Sequence, residues 1–126
     1  MDHYKRYGGG WALVTGATDG IGKAYCDEFA KSGFNIVLMA RNSQKLEKVA
    51  TEIQNKYKVL TKVIVYDYGK LSTLESANEL KSMLNHELKD IDISILANNV
   101  GEARIGNFHK RRTWDVMSQI NVNINS

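Results

Sequence analysis

A glycine-punctuated turn, Thr15-Gly16-Ala17-Thr18-Asp19-Gly20-Ile21-Gly22, follows directly on the apolar run Trp11-Ala12-Leu13-Val14 and opens a segment with helical periodicity. The order strand, glycine turn, helix constrains a chain tightly. It aims the N-terminal backbone N–H groups of the helix at whatever lies beyond the strand, and such groups bind phosphate. The spacing here is G-x3-G-x-G rather than G-x-G-x-x-G, but the physical needs are the same. One glycine turns the chain sharply, one lets backbone approach a pyrophosphate, and one lets the helix pack close to the sheet. A purely structural turn also uses glycine; the flanking strand and helix favour the phosphate reading.

The rest of the chain repeats the alternation. Trp11–Thr15 reads as a buried strand. Ile21, Ala24, Tyr25 and Phe29 then recur at helical spacing, and Gly33 supplies the stop. Asn35–Ala40 is a second strand. Asn42 or Ser43 can cap a helix whose core face is Leu46, Val49, Ala50 and Ile53. A third strand is predicted over residues 59–66. Ser72 and Glu75 have capping-box spacing ahead of a helix carrying Ala77, Leu80, Leu84 and Leu88. A fourth strand is predicted over 91–97. After the polar stretch 101–112, the residues Trp114, Val116, Met117, Ile120 and Ile124 mark a last helix. Near-continuous apolar strands alternating with amphipathic helices predict an α/β fold with a parallel sheet covered on both faces. With the glycine turn after the first strand, the doubly wound (Rossmann) arrangement leads, in strand order 3-2-1-4. Residues 1–10 form a lead-in and 11–126 the dinucleotide-binding domain. That domain is expected to be incomplete at its C-terminus: no helix stop precedes Ser126, and a fourth strand left as an apolar edge invites association. Both points suit a fragment, a truncated gene product, or one part of a homodimer or larger assembly, and the oligomeric state is left open.

Composition removes other classes. The chain has 126 residues, enough for one domain and one sizeable core. Its net charge is +3, with basic residues spread over several predicted helices. That argues against nucleic acid as a partner and suits anionic small molecules. Cys26 is the sole cysteine, so no internal disulfide forms, as fits a reducing compartment. Within a helix it reads as a small packed residue. No apolar run reaches the length of a membrane span, and Met1-Asp2-His3-Tyr4-Lys5-Arg6 lacks the apolar stretch of a signal peptide. His3, His86 and His109 are scattered without metal-ligand spacing, and no metal is expected.

The strand ends narrow the ligand. In dinucleotide folds an acid at the end of the second strand, about 20 residues past the glycines, bonds the adenosine ribose. Here that strand ends Met39-Ala40-Arg41-Asn42, without an acid. Arg41 suits bidentate pairing with a 2′-phosphate, and Lys45, one helical turn on, can assist. Both residue types also occur as solvated surface charges. The pattern favours NADP over NAD. Asp67 ends the third strand, either as an acceptor for the adenine amino group or as a loop cap. Asn98-Asn99-Val100-Gly101 ends the fourth, where ligands of open α/β sheets lie. Two amides and a glycine there can hold the loop and contact a cofactor, and Asn98 serves equally as a brace for the sheet.

With these residues assembled, the chain resembles the N-terminal half of a short-chain dehydrogenase/reductase. The matches are Thr15-Gly16-x3-Gly20-Ile21-Gly22, Arg41, Asp67, Asn98-Asn99-Val100-Gly101 and an asparagine within Ile120-Asn121-Val122-Asn123. They run in the family's order over nearly the whole chain. The string from Trp11 to Tyr25, and valine at position 100 where most of the family has alanine, resemble the branch containing 17-beta-hydroxysteroid dehydrogenase and very-long-chain 3-oxoacyl-CoA reductase. The resemblance implies NADPH as cofactor and, as substrate, a ketone on a steroid or a long 3-oxoacyl thioester. It implies that Gly16, Thr18, Asp19, Gly20, Ile21 and Gly22 line the pyrophosphate, that Arg41 and Lys45 meet the 2′-phosphate, and that Asp67 touches adenine. Asn99 and Gly101 then lie along the adenosine and its ribose. Asn123 aligns with the family's catalytic-tetrad asparagine, which holds a proton-relay water; Asn121 is the rival candidate. The branch also implies an endoplasmic-reticulum setting, through an anchor upstream of the dinucleotide fold. A chain complete as given would instead be expected in the cytoplasm.

The family's reaction also needs a serine and a Tyr-x3-Lys pair downstream of the tetrad asparagine: tyrosine as general acid, lysine to lower its pKa, serine to orient the carbonyl. No such pair follows Asn123. Tyr66 and Lys70 have the spacing, but they straddle a strand end and Gly69, so they are not expected to share a helix face. His109-Lys110-Arg111-Arg112 is a short basic run that reads as solvated loop before it reads as a site for CoA phosphates. The leading expectation is an NADPH-dependent ketone reductase, seen as its cofactor-binding half. The alternative is a catalytically inactive dinucleotide-binding module serving as a structural or regulatory subunit. A methyltransferase on a similar fold would not need Arg41 or the Asn98–Gly101 pattern.

Overall fold

The structure, a computed structural model, describes residues 2–101 and 112–124, without the side chains of Val116 and Ile124. Most of the basic run, residues 109–111, lies outside that description. Four strands, β1 (Trp11–Thr15), β2 (Asn35–Ala40), β3 (Thr61–Val65) and β4 (Ile93–Ala97), form one parallel sheet in the order β3-β2-β1-β4. This is the doubly wound order expected. The helices are α1 (His3–Arg6), α2 (Gly20–Lys31), α3 (Ser43–Tyr57), α4 (Leu74–Glu87) and α5 (Thr113–Ile124), with a 3-10 turn at Tyr68–Lys70. The lead-in thus carries a short helix, capped by the Asp2 side chain on Lys5 N. Among the described residues no helix is long and apolar enough to cross a membrane.

Side-chain alternation along the strands splits the apolar residues into two layers. Ala12, Val14, Ile36 and Leu38 face α2 and α3, where they join Cys26, Ala30, Leu46 and Ile53. Leu13, Val37, Met39 and Ile64 face the other way, toward Leu80, Met83, Leu84 and Leu88. Leu46, Val49, Ala50 and Ile53 are all buried, as their spacing predicts. Burial of Leu or Ile is worth about 1.5–3 kcal/mol each, so this stripe fastens α3 to the sheet. Asn42 is the cap, its side chain accepting from Lys45 N at 2.9 Å.

Several local expectations are corrected. β3 starts at Thr61 because the Leu60 N–H donates to the Asn35 side chain instead of a strand partner. β4 starts at Ile93 because the Ile91 N–H is used in a turn, donating to Leu88 O. The capping box of α4 is Thr73 with Ser76, not Ser72 with Glu75. On α2 the buried face is Gly22, Cys26 and Ala30, whereas Ile21, Ala24 and Tyr25 are exposed. Small residues one turn apart let that helix lie close on the sheet; larger ones would hold it off. On α5 the packed face is Ser118, Asn121 and Val122, and Trp114, Met117 and Ile120 are exposed. Its small and polar side fits against the 3-10 turn, with Asn121 Nδ2 donating to Gly69 O at 3.1 Å.

Candidate functional site

At the C-terminal ends of the strands lies a cleft of about 480 Å³. The turn after β1 lines one side with Gly16, Thr18, Asp19 and Ile21. Arg41 and Lys45 line it beyond β2, Asp67 beyond β3, and Asn99 with Gly101 beyond β4. Residues spread over most of the sequence therefore share one space. Ala40, Asn42, Tyr66, Tyr68, Val100 and Val122 line it too. Proximity to strand ends could have marked the first five in the sequence, whereas Val122 lies on α5.

The glycines divide the labour. Gly22 is buried, and a Cβ there would collide with Gly16 O and stand 2.5 Å from Asn99 Nδ2. Its role is close packing beneath the turn. Gly20 has φ +56°, and a Cβ there would meet no atom within 4 Å. The fold itself leaves that space open, as a ligand approaching backbone requires.

The turn is fixed from the side by β4. The Asn99 N–H donates to Thr15 Oγ1 at 2.9 Å, and Thr15 Oγ1 donates to Ala97 O at 3.4 Å. Asn99 Nδ2 donates to Gly16 O at 3.4 Å. The bracing amide of the Asn98-Asn99 pair is thus Asn99, and Asn98 is exposed. Asp67 holds the 3-10 turn through Oδ1, which accepts from Gly69 N at 2.9 Å.

Charge is concentrated at the mouth. Arg41 is exposed there, and Lys45 Nζ lies 3.2 Å from Asp19 Oδ2. Tyr66 and Tyr68 meet edge to face, with ring centroids 5.1 Å apart. Burial first, and neighbouring charge second, raises the Tyr66 phenol above its ordinary range. Burial does the same to Tyr68. Both are neutral near pH 7. Tyr66 and Lys70 do not share a helix face: Tyr66 follows β3 and Lys70 ends the 3-10 turn. Asn123 lies on α5 with Oδ1 3.7 Å from a Cβ built on Gly101; Asn121 is buried and committed to Gly69 O.

The set can hold a dinucleotide. An open glycine turn leads into a helix whose first-turn N–H groups cannot be satisfied within the helix. Two cations stand beyond β2, where a phosphate on an adenosine ribose would reach. The cleft volume falls in the range of small-molecule sites.

A family model described as "short chain dehydrogenase" matches residues 10–126. The inactive hydroxysteroid dehydrogenase-like protein 1 of Homo sapiens is 44% identical over 128 residues, covering 98% of this chain and 36% of that protein. The very-long-chain 3-oxoacyl-CoA reductase of Candida albicans is 48% identical over 103 residues, covering 79% of this chain and 28% of that enzyme. A solved short-chain dehydrogenase from Sphingobium yanoikuyae, in complex with NADPH, superposes with a TM-score of 0.74 at 26% identity, over 92% of this chain and 43% of that one. The chain therefore spans little more than a third of the length of the first curated relative and less than half of the solved structure.

Proposed function

The chain belongs to the short-chain dehydrogenase family, and on that premise we propose that it is the cofactor-binding half of an NADPH-dependent oxidoreductase that reduces a ketone. The observation that carries the reading is the convergence of Arg41 and Lys45 with the glycine turn on one cleft. The glycine turn and the first turn of α2 cradle the pyrophosphate. Arg41 grips the 2′-phosphate with two parallel N–H donors, and Lys45 adds a point charge. Asp67 presents its carboxylate to the adenine amino group, and Gly101 gives the ribose room. Asn123 stands as the tetrad asparagine that holds a proton-relay water. NADPH, when bound, supplies the hydride.

The substrate class is a long-chain 3-oxoacyl thioester or a steroid ketone, supported by likeness to the Candida reductase and to the hydroxysteroid dehydrogenase-like protein. The same likeness to a very-long-chain reductase supports an endoplasmic-reticulum setting, which fractionation of the native gene product tests.

Titration of the chain with NADPH, NADH and S-adenosylmethionine tests the cofactor. NADPH is expected to bind tightest. Arg41→Ala should weaken it about ten- to a hundredfold, as for a lost charge-assisted pair, and leave NADH nearly unchanged. Preference for NADH overturns the assignment of Arg41, and preference for S-adenosylmethionine overturns the reading altogether.

A second reading rests on the human relative, which is described as inactive yet is 44% identical over 98% of this chain. In that reading this chain binds dinucleotide as a structural or regulatory module. Turnover decides: consumption of NADPH with a 3-oxoacyl thioester by the native gene product supports the enzyme, and binding without consumption supports the module.

A further inference from the structure

We propose that Lys45 is a positioning residue for the glycine turn: it holds the Asp19 carboxylate away from the first turn of α2 and so keeps that turn open to the pyrophosphate. This rests on the cofactor reading above.

Asp19 occupies the N-cap of α2 with extended backbone, φ −143° and ψ 161°, the conformation from which a capping side chain reaches back to the helix. Aspartate is among the strongest caps, yet this one makes no capping bond. Its carboxylate is turned across the cleft to Lys45 Nζ, 3.2 Å away. Lys45 is the third residue of α3, and its backbone N–H is held by Asn42 Oδ1 at 2.9 Å. A cation in a first turn opposes the helix dipole, so α3 gains nothing from it there. What it does instead is draw a carboxylate from a place where that carboxylate would act as a built-in competitor. A capping Asp19 would occupy the N–H groups of Ile21 or Gly22 and set a negative charge beside the phosphates. The pair is solvent-exposed and weak in itself. Its effect is to choose between two rotamers of Asp19.

The expected behaviour differs from that of a lysine serving only the 2′-phosphate. Lys45→Ala should weaken NADH, which has no 2′-phosphate, about fivefold, the worth of one N-cap bond. It should weaken NADPH by more. Adding Asp19→Ala should restore NADH binding without restoring all of NADPH binding. If Lys45→Ala leaves NADH affinity unchanged, or if Asp19→Ala gives no rescue, the proposal is overturned while the 2′-phosphate assignment stands. A second readout needs no nucleotide. In the ligand-free chain, Lys45→Ala should move the backbone amide proton resonances of Ile21 or Gly22 downfield as Asp19 caps the helix, and Asp19→Ala should reverse it. Unmoved amides overturn the proposal even if no dinucleotide binds. If the amides move but wild type binds neither dinucleotide, the cofactor reading fails on its own.

Discussion

Gly22 sits where no side chain fits, because the backbone of Gly16 and the amide of Asn99 already fill the position of a Cβ. Neither neighbour can yield cheaply, since one is backbone and the other braces the turn. Gly22→Ala is expected to cost about 1–3 kcal/mol or more, the range for overpacking, read as a lower urea midpoint. Four residues on, Cys26 is fully buried, and burial, helped by the Asp27 charge, pushes its thiol up to about 12 from an ordinary value near 9. The folded state keeps the thiol neutral, whereas the unfolded chain ionises from about 9 upward. Stability should therefore be unaffected by this group below about 9 and fall as pH rises from there toward 12. Comparison of urea midpoints for wild type and Cys26→Ala across that window should show a steeper loss in wild type; parallel curves would refute it.

Capping at the element scale shows how much of a helix start is legible. Any of several Ser and Thr residues before Leu74 could begin α4, and spacing alone pointed to Ser72 with Glu75. The reciprocal bonds run instead between Thr73 Oγ1 and Ser76, with Ser76 Oγ also accepting from Thr73 N. Serine can close a box when it is within reach, so a search for Glu or Gln overlooks it. Thr73→Ala should cost about 1 kcal/mol and Glu75→Ala little, in thermal or urea melts. The helix α3 was readable to its cap because its four apolar residues make one narrow stripe and Asn42 stands just before it. The helix α2 is legible from its spacing, but its buried face is not, because its packing uses the small residues Gly22, Cys26 and Ala30 while Ile21 and Tyr25 stay exposed. In α5 the apolar positions Trp114, Met117 and Ile120 stay exposed and the polar Ser118 and Asn121 are covered, and among the described residues Asn121 bonds the neighbouring 3-10 turn.

For the molecule as a whole, the parallel sheet and its strand order were legible because buried strands and the glycine turn leave few alternatives. The gathering of Arg41, Asp67 and Asn99 at one end followed from that topology. The partners that tie the end together did not, since no pattern says that Thr15 Oγ1 meets the backbone of residue 99. Among the described residues β4 is an edge strand, and Leu96 on it is 59% exposed. An apolar edge recruits other strands. The 126-residue chain should associate increasingly with concentration in size-exclusion runs, and Leu96→Lys should reduce that; indifference to the substitution would place the contact elsewhere. The pairing of this edge strand also carries an offset. Trp11 is level with Ile93 but Ala12 with Ile95, so Ser94 is passed over, and Ile93 and Ile95 end up on opposite faces of the sheet. With no residue passed over, Asn98 rather than Asn99 would come level with Gly16. One residue of strand is about 3.3 Å of travel. β4 thus behaves as a vernier: a step set at the floor of the sheet, where the Ser94 hydroxyl donates to Gly9 O, is read at the roof as the choice of asparagine that reaches the glycine turn. A substitution at Ser94 that abolished the step without shortening the strand would be a change to the ligand cleft delivered from the far end of the fold.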